Sequence, residues 1–400
     1  MDALTILTVF TALMLVGILI TVISNRLKIS NVLFLILAGL ILGGLNEVYG
    51  YFQINPTALV TLAIIALVMI VFDGTSKFKA KAVEDISFHA IRIHIWFIVF
   101  NVLLISFLFN LLFLEGISVL NMIYGVVFAI MLAATDPASI FAMLKNGSNK
   151  IIQHLEVEAI INTPFTILIP LVVVDLMGSL NVTGIELIGR YLNQILTQIL
   201  VGIGTGVVIG ILFFRGMRQY SEKISPVALL SSALFSYILA EQLNGSGVLA
   251  VAVLGFIFGK MFVSRKELLQ SFSAMISSTL EILVFILLGF IINIELSLGF
   301  IIKSIVIMIV LAMSRYYALK MSMKELQKNE IIFMTLNMPK GIATAVLLFS
   351  LSVLNIPELD IIINLTVMII IYSLILSTIA NRFSKEILGY DIEEAVDEED

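Results

Sequence analysis

Residues 119–144 read VLNMIYGVVFAIMLAATDPASIFAML, an apolar stretch that carries Asp136 in its interior and a helix breaker, Pro137, directly after it. A carboxylate at that depth is costly, and its default reading is an ion or proton site. Pro137 removes a backbone donor and opens carbonyls that a continuous helix would have used. Open carbonyls beside a buried carboxylate form a place where a cation can bind.

The rest of the chain fits a membrane setting. With 60% hydrophobic and 13% charged residues over 400 positions, it belongs to the polytopic membrane class and leaves no soluble domain over. Thirteen apolar spans are read near 3–24, 31–47, 57–73, 91–114, 119–144, 151–177, 193–214, 226–243, 246–263, 274–293, 298–314, 330–353 and 360–379. Met1-Asp2 lacks the basic flank of a cleaved leader, so the first span is expected to stay as a helix. The absence of cysteine excludes disulfides, thiolate chemistry and cysteine-ligated metal. Seven acids between Asp391 and Asp400 read as a solvated, disordered tail.

Charge placement supports the span count independently. The connections after odd-numbered spans hold 20 of the 23 basic residues, among them Lys77, Lys145, Lys266, Arg315 and Lys328. This bias places the N-terminus outside and the C-terminus in the cytosol. Arg190 and Lys303 break the pattern at span ends, where their side chains can snorkel. Lys340 lies well inside span twelve and needs a buried partner.

At 1.5 Å per residue, Asp136 lies about 13 Å from Lys145, Asn162 about 18 Å from Lys150, and Lys340 about 18 Å from Lys328. In a hydrocarbon core of about 30 Å these groups from spans five, six and twelve meet near the midplane. Each of spans five and twelve has a proline beside its charge, Asp136-Pro137 and Pro339-Lys340-Gly341, and their odd offset makes them cross in opposite directions. The pattern predicts an inverted repeat, residues 1–188 and 225–381, joined by a linker span over 189–224 and followed by an acidic tail over 382–400. Two broken helices crossing there leave opposed ends, with Asp136 suited to exposed N–H groups and Lys340 to exposed carbonyls. On span six, Glu158, Asn162 and Thr166 share one helical face. Glu158 is the expected salt-bridge partner of Lys340, because an unpaired lysine at mid-membrane tends to lose its proton.

These residues resemble the monovalent cation/proton antiporter superfamily, in particular the archaeal and bacterial sodium/proton antiporters of the NhaP type. The likeness rests on Ala134-Thr135-Asp136-Pro137-Ala138, on the run Leu155-Glu156-Val157-Glu158-Ala159-Ile160-Ile161-Asn162-Thr163-Pro164, on Gly245-Ser246-Gly247-Val248-Leu249-Ala250-Val251 and on Pro339-Lys340-Gly341. It implies an all-α fold of thirteen transmembrane helices in which the fifth and twelfth are broken and cross, with a dimerisation domain and a six-helix core domain. It further implies a homodimer in the cytoplasmic membrane that exchanges sodium, or lithium, for protons by alternating access, with no cofactor and no ATP. By position, Asp136 and Thr135 match the family's Thr-Asp motif, Glu158 and Lys340 its structural glutamate and basic partner, and Asp73 an acidic position that can approach the ion.

Two departures stand out. The family's Asn-Asp pair reads Asn162-Thr163 here, and a threonine hydroxyl can ligate sodium but cannot release a proton at physiological pH. Lys340 stands where arginine is usual, which keeps the charge and loses the bidentate fork. The expected sodium ligands are Asp136, Thr135, Asn162 and Thr163, oxygen groups that suit a hard cation. Asp136 is the first choice as proton carrier and Asp73 the second. Asn162 can serve as a ligand or as an interhelical hydrogen-bonding group, and Asp73 as a ligand or as an interfacial cap.

Among ionisable groups elsewhere, Asp175 and Glu281 are expected at span ends, and His89, His94 and His154 in solvent near spans four and six. Gly39 with Gly43, and Gly202 with Gly206 and Gly210, form small-residue ridges for close helix packing, within a protomer or across a dimer. Potassium/proton exchange and uncoupled cation transport are the alternatives that Thr163 leaves open. An intramembrane aspartyl hydrolase is disfavoured, since no Gly-x-Gly-Asp, Gly-x-Ser-x-Gly or His-Glu-x-x-His motif is present.

Overall fold

The computed structural model describes residues 3–27, 30–50, 56–77, 80–114, 116, 118–136, 139, 150–177, 184–220, 226–261, 266–291, 297–352 and 356–389. Among these the chain is all helix: α1 (Ala3–Leu27), α2 (Asn31–Tyr49), α3 (Pro56–Ser76), α4 (Ala80–Phe113), α5 (Val119–Met131), α6 (Lys150–Met177), α7 (Gly184–Tyr220) and α8 (Pro226–Gln242). The second part continues with α9 (Gly247–Lys260), α10 (Lys266–Ile291), α11 (Leu298–Ser322), α12 (Lys328–Leu336), α13 (Ile342–Ser352), α14 (Pro357–Arg382) and α15 (Ser384–Leu388). Among the described residues, six stretches are long and apolar enough to cross a membrane, including Thr57–Ser76, Phe88–Phe113 and Leu298–Ser322, and shorter apolar helices accompany them. Exposed Leu103, Phe107, Leu111, Leu200, Leu212 and Ile309 give the outside of the bundle its apolar character.

Local chemistry sets several helix starts. Ser118, Ser246 and Ser297 accept the N–H groups of Asn121, Leu249 and Phe300, satisfying donors that the first turns of α5, α9 and α11 leave over. Glu330 reaches back to the N–H of Gln327 at 2.7 Å at the start of α12. Prolines open α3, α8 and α14, where a missing N–H costs no helical bond.

Two groups of helices pack against each other. In one, α10 lies on α2 and α3, and α9 on α3, α7 and α8. In the other, α4 gathers α5, α6 and α11, while α12, α13 and α14 complete the cluster. The first group is joined by close backbone contact. A Cβ on Gly39 would overlap the carbonyl oxygen of Ile286, and one on Gly289 that of Ile36. Gly202 and Gly206 meet the backbone oxygens of Ser246 and Ala250 in the same way. The glycine ridges read from the sequence are therefore filled inside the protomer.

The expected breaks in spans five and twelve are present. α5 ends at Met131, its last turn tightening through Ala133 N–H to Ile130 O and Ala134 N–H to Met131 O. Span twelve divides into α12 and α13 around residues 337–341, and the two breaks join through Asp136 N–H to Pro339 O at 2.8 Å. Pro137 lies outside the described residues.

Three expectations need correction. α4 starts at Ala80, well before the expected 91, so His94 is buried and not in solvent, while the His89 and His154 rings neighbour each other at 6.2 Å. α10 starts at Lys266, which moves Glu281 from a span end to the helix interior. The tail does not begin at 382: α15 packs on α12, with Leu388 buried beside Ile331 and Met334. Residues 390–400, and the side chains of Thr163, Asp175 and Arg190, lie outside what is described.

The backbone contact between α2 and α10 predicts that Gly289→Val lowers stability by roughly 1–3 kcal/mol through overpacking. Gly204→Ala, at a position with open space around it, is expected to leave stability unchanged or slightly raised. Thermal unfolding of the detergent-solubilised variants checks both, and an undisturbed Gly289→Val midpoint would exclude the contact.

Candidate functional site

The site is built where the two broken helices meet. Residues 134–136 run on from the end of α5 in non-helical conformation, so their backbone groups lack helical partners and must find others. Asp136 gives its N–H to Pro339 and turns its carboxylate toward the start of α13, where Gly341 and the Ile342 N–H face it. A Cβ on residue 341 would occupy the space of the Asp136 carboxylate, so glycine is required there by contact and not by backbone conformation. The carboxylate thus sits at the positive end of a helix.

Lys340 mirrors this arrangement. Its Nζ donates to Ala134 O at 2.7 Å, at the carbonyl end of α5. Its N–H donates to Ser373 Oγ of α14 at 3.1 Å, and Ser377 holds Asn337 Oδ1 at 2.7 Å. Each broken helix end is therefore met by a charge carried on the other span.

Asp136 is 2% exposed, and its two oxygens are treated differently. Oδ2 accepts from Ser139 twice, from N–H at 2.9 Å and from the hydroxyl at 2.5 Å. Oδ1 is buried and makes no hydrogen bond of normal geometry, although the Ile342 N–H lies near. One oxygen fixes the carboxylate, and the other is available to a cation or a proton.

Thr135 and Asn162 brace the same loop. Asn162 Nδ2 donates to Thr135 Oγ1 at 2.5 Å, and Thr135 N–H points back at Asn162 Oδ1 at 3.5 Å, the outer limit of a useful bond. Thr166 Oγ1 donates to Asn162 O one turn away. Asn162 thus ties α6 to the α5 break, and Asp136, Thr135 and Asn162 come together as the spacing implied. Asp73 is instead held at the end of α3 by Lys77 at 2.6 Å.

The expected Glu158–Lys340 salt bridge is not formed. Glu158 pairs with Arg315 of α11: Nη1 donates to Oε1 at 2.6 Å and Nη2 to Oε2 at 2.9 Å, with both side chains fully buried. Arg315 Nε also donates to Met334 O near the end of α12 at 3.2 Å. The reason is geometric. A guanidinium fork satisfies both carboxylate oxygens and a backbone carbonyl at once, which a lysine cannot do. Phe97 of α4 lies beneath both cations, 5.3 Å from Arg315 Cζ and 5.5 Å from Lys340 Nζ, so the ring face offsets part of their burial.

Arg315 is not legible as a buried group in the sequence, because a span ending at 314 leaves the arginine among the basic connections. α11 in fact continues to Ser322. The signal lay in the run Tyr316-Tyr317-Ala318-Leu319, which keeps the helix apolar past the charge. Ser139 is not singled out by the sequence, and Glu281, expected at a span end, lies in the interior of α10 with the field of Asp136 acting on it.

The profile of the family described as "Sodium/hydrogen exchanger, transmembrane" matches residues 10–382. The chain is similar to the probable Na(+)/H(+) antiporter 2 of Methanocaldococcus jannaschii, 24% identical over 300 residues that cover 70% of this chain and 68% of that one. It is 32% identical over 131 residues to the low-affinity Na(+)/H(+) antiporter NhaS1 of Synechocystis, covering 32% of this chain and 24% of the relative. It is 22% identical over 252 residues to a K(+)/H(+) antiporter NhaP2 of Shewanella, covering 61% and 42%. The chain thus spans about two thirds of the first relative and under half of the other two. The solved structure of the sodium proton antiporter MjNhaP1 from Methanocaldococcus jannaschii superposes with a TM-score of 0.79 at 18% identity, covering 98% of this chain and 100% of that one, a likeness of fold.

The buried ion pair generates a stability prediction. Arg315→Met leaves Glu158 buried without a partner and is expected to cost roughly 3–5 kcal/mol, whereas Glu158→Met with Arg315→Met recovers most of that loss. Arg315→Lys is expected to fall between them. Thermal unfolding of the purified variants reads the series, and a single Arg315→Met variant as stable as the wild type would rule out the pair as a structural tie.

Proposed function

The chain belongs to the sodium/hydrogen exchanger family and is a multi-pass secondary transporter that exchanges a monovalent cation for protons; from that premise we propose that cation and proton compete for the Asp136 carboxylate. The observation that carries this reading is the buried, unpartnered Oδ1 of Asp136, set between two opposed helix breaks. The proposed cation ligands are those expected from the sequence, Asp136, Thr135, Asn162 and Thr163, an all-oxygen set suited to a hard alkali ion. Sodium is the favoured cargo. Potassium is the second reading, supported by the similarity to a protein called a K(+)/H(+) antiporter.

The charge balance supports this role. Glu158 is matched by Arg315, and the charge of Asp136 by that of Lys340, so these four groups sum to zero. A proton or a sodium ion each adds one positive charge, and the two loaded forms are electrically alike. Exchange through one carboxylate is then one for one and moves no net charge. Asn162 positions the Thr135 loop, while Glu158 and Arg315 fasten α6 to α11 and α12, so that the site moves as a unit.

In this reading the two repeats, 1–188 and 225–381, supply the paired breaks, and the core helices move against the group containing α2, α3 and α10 to expose Asp136 to one side at a time. The protein works in the cytoplasmic membrane as a homodimer, N-terminus outside and C-terminus in the cytosol, an orientation supported by the basic odd-numbered connections. No cofactor takes part, since the transported ions are the cargo.

Proteoliposomes with a trapped pH dye test the reading. Sodium chloride is expected to raise the internal pH signal in wild-type vesicles and choline chloride to give none, while Asp136→Asn lowers the rate at least about 100-fold by removing the proton-binding oxygen. Retained exchange in Asp136→Asn would refute the assignment. Collapsing the membrane potential with a permeant anion is expected to change the wild-type rate by less than about twofold, because an electrogenic cycle would gain about 2.3 kcal/mol per charge per 100 mV. A strong dependence on potential would overturn one-for-one exchange.

A further inference from the structure

Asp136 is sealed, yet a carboxylate from the other helix group stands within reach of its field. Glu281, in the interior of α10, is half-buried and feels the Asp136 charge. α10 packs on both α3 and α13, so it borders the helix whose N-terminus carries Asp136. A carboxylate this far along a membrane helix is not stable against lipid, and its open side needs a polar surface.

That surface is present on the same helix. Ser273, Ser277 and Glu281 are spaced by four residues and form one stripe, about 12 Å long. Ser273 is fully buried and Ser277 6% exposed; neither hydroxyl bonds a helix carbonyl, Ser277 has no partner, and the polar neighbour of Ser273 is the Asp73 carboxylate. This is unusual, because a helical serine ordinarily bonds the carbonyl one turn back. Ser271 and Ser278 on the same helix do so, at 2.9 Å each. The hydroxyls of Ser273 and Ser277 lie on the buried face that leads to Glu281.

The stripe also has a polar end. At its outer end Ser273 neighbours the Asp73 carboxylate, which Lys77 holds, and Gln270 donates to Ser76 O at 3.1 Å to tie α10 to α3. Lys77, Lys260 and Lys266 mark this end, which places it in the headgroup region. The sequence of groups inward is Asp73, Ser273, Ser277, Glu281 and Asp136, all oxygen donors, three of them carboxylates.

We propose that Glu281 is a second cation-binding carboxylate of the transport path, which with the Ser273 and Ser277 hydroxyls receives a dehydrating alkali cation from the lysine-bearing end and delivers it to Asp136. The proposal rests on the reading of Asp136 as the cation site. Glu281 belongs to the helix group opposite that of Asp136, so their approach is a feature of the conformation described here. The carboxylate missing at Thr163 is replaced in charge, though not in position, by one across the boundary between the two groups. Hard monovalent cations are the ligand class, since the stripe offers oxygen alone.

The experiment measures initial rates of proton exchange against sodium concentration in proteoliposomes for wild type, Asp136→Asn, Glu281→Gln, Glu281→Asp and Ser277→Ala, each checked for monodispersity before reconstitution. Glu281→Gln is expected to raise the apparent KM for sodium about tenfold, more than it alters the saturating rate, because it weakens binding on the way to the site. Glu281→Asp restores most of the affinity, and Ser277→Ala raises KM about threefold. An active wild type and inactive Asp136→Asn, together with a wild-type KM in Glu281→Gln, overturn this proposal alone. If Glu281→Gln does not fold, a wild-type KM in Ser277→Ala overturns it equally. A wild type that gives no response to sodium, or a fully active Asp136→Asn, overturns both this proposal and the reading on which it rests.

Discussion

Everything at the centre of this protein depends on removing charged groups from water without leaving any of them uncompensated. Asp136 and Lys340 do this by exchange: each is seated on the interrupted end of the span that carries the other. The helix breaks that would otherwise expose N–H and C=O groups in an apolar interior thus become the counter-charges of two side chains. The arrangement explains why the breaks must face one another. It also explains Gly341, since the carboxylate occupies the space in which any other residue would place its Cβ.

A second pair stands beside the first with a different task. Glu158 and Arg315 use up each other's bonding capacity, leaving nothing for an ion to displace cheaply. Asp136 leaves one oxygen unused. In the proposed reading the contrast separates a fastening from a binding site: both are buried carboxylates with cations near, and the one with incomplete coordination is the one suited to cargo. Phe97 lets two cations share this small volume, its ring facing both.

The sequence made the fold largely legible because apolar spans, basic connections and proline-flanked charges are one-dimensional signals. Asp136, Lys340, Asn162 and the two breaks could be read directly, and the structure gathers them. The pairing could not be read. Lys340 was the conspicuous buried cation, whereas Arg315 looked like a span end because its depth depends on how far α11 continues after it. Glu281 escaped for the same reason at the opposite end of its helix, α10 beginning eight residues earlier than its apolar core suggests. Helix length past an apolar run is set by packing on neighbours, which hydropathy does not record. The α15 segment escaped because its value lies in Leu388 filling a cluster made by other helices.

The glycine contacts between α2 and α10, and between α7 and α9, bear on the mechanics of the molecule. Where two helices touch main chain to main chain, there are no long side chains to change rotamer and absorb a slide. A displacement of one residue along such a seam drives carbonyl oxygens into Cα atoms. These four helices therefore behave as a stator. Seams lined by leucine, isoleucine and phenylalanine have softer teeth, and the contacts of α13 with α3 and α10, of α6 with α3 and α7, and of α14 with α2 join the stator side to the helices around Asp136. Any stroke of this machine is confined to those seams, and its length is limited by how far their side chains can re-interdigitate without opening a void.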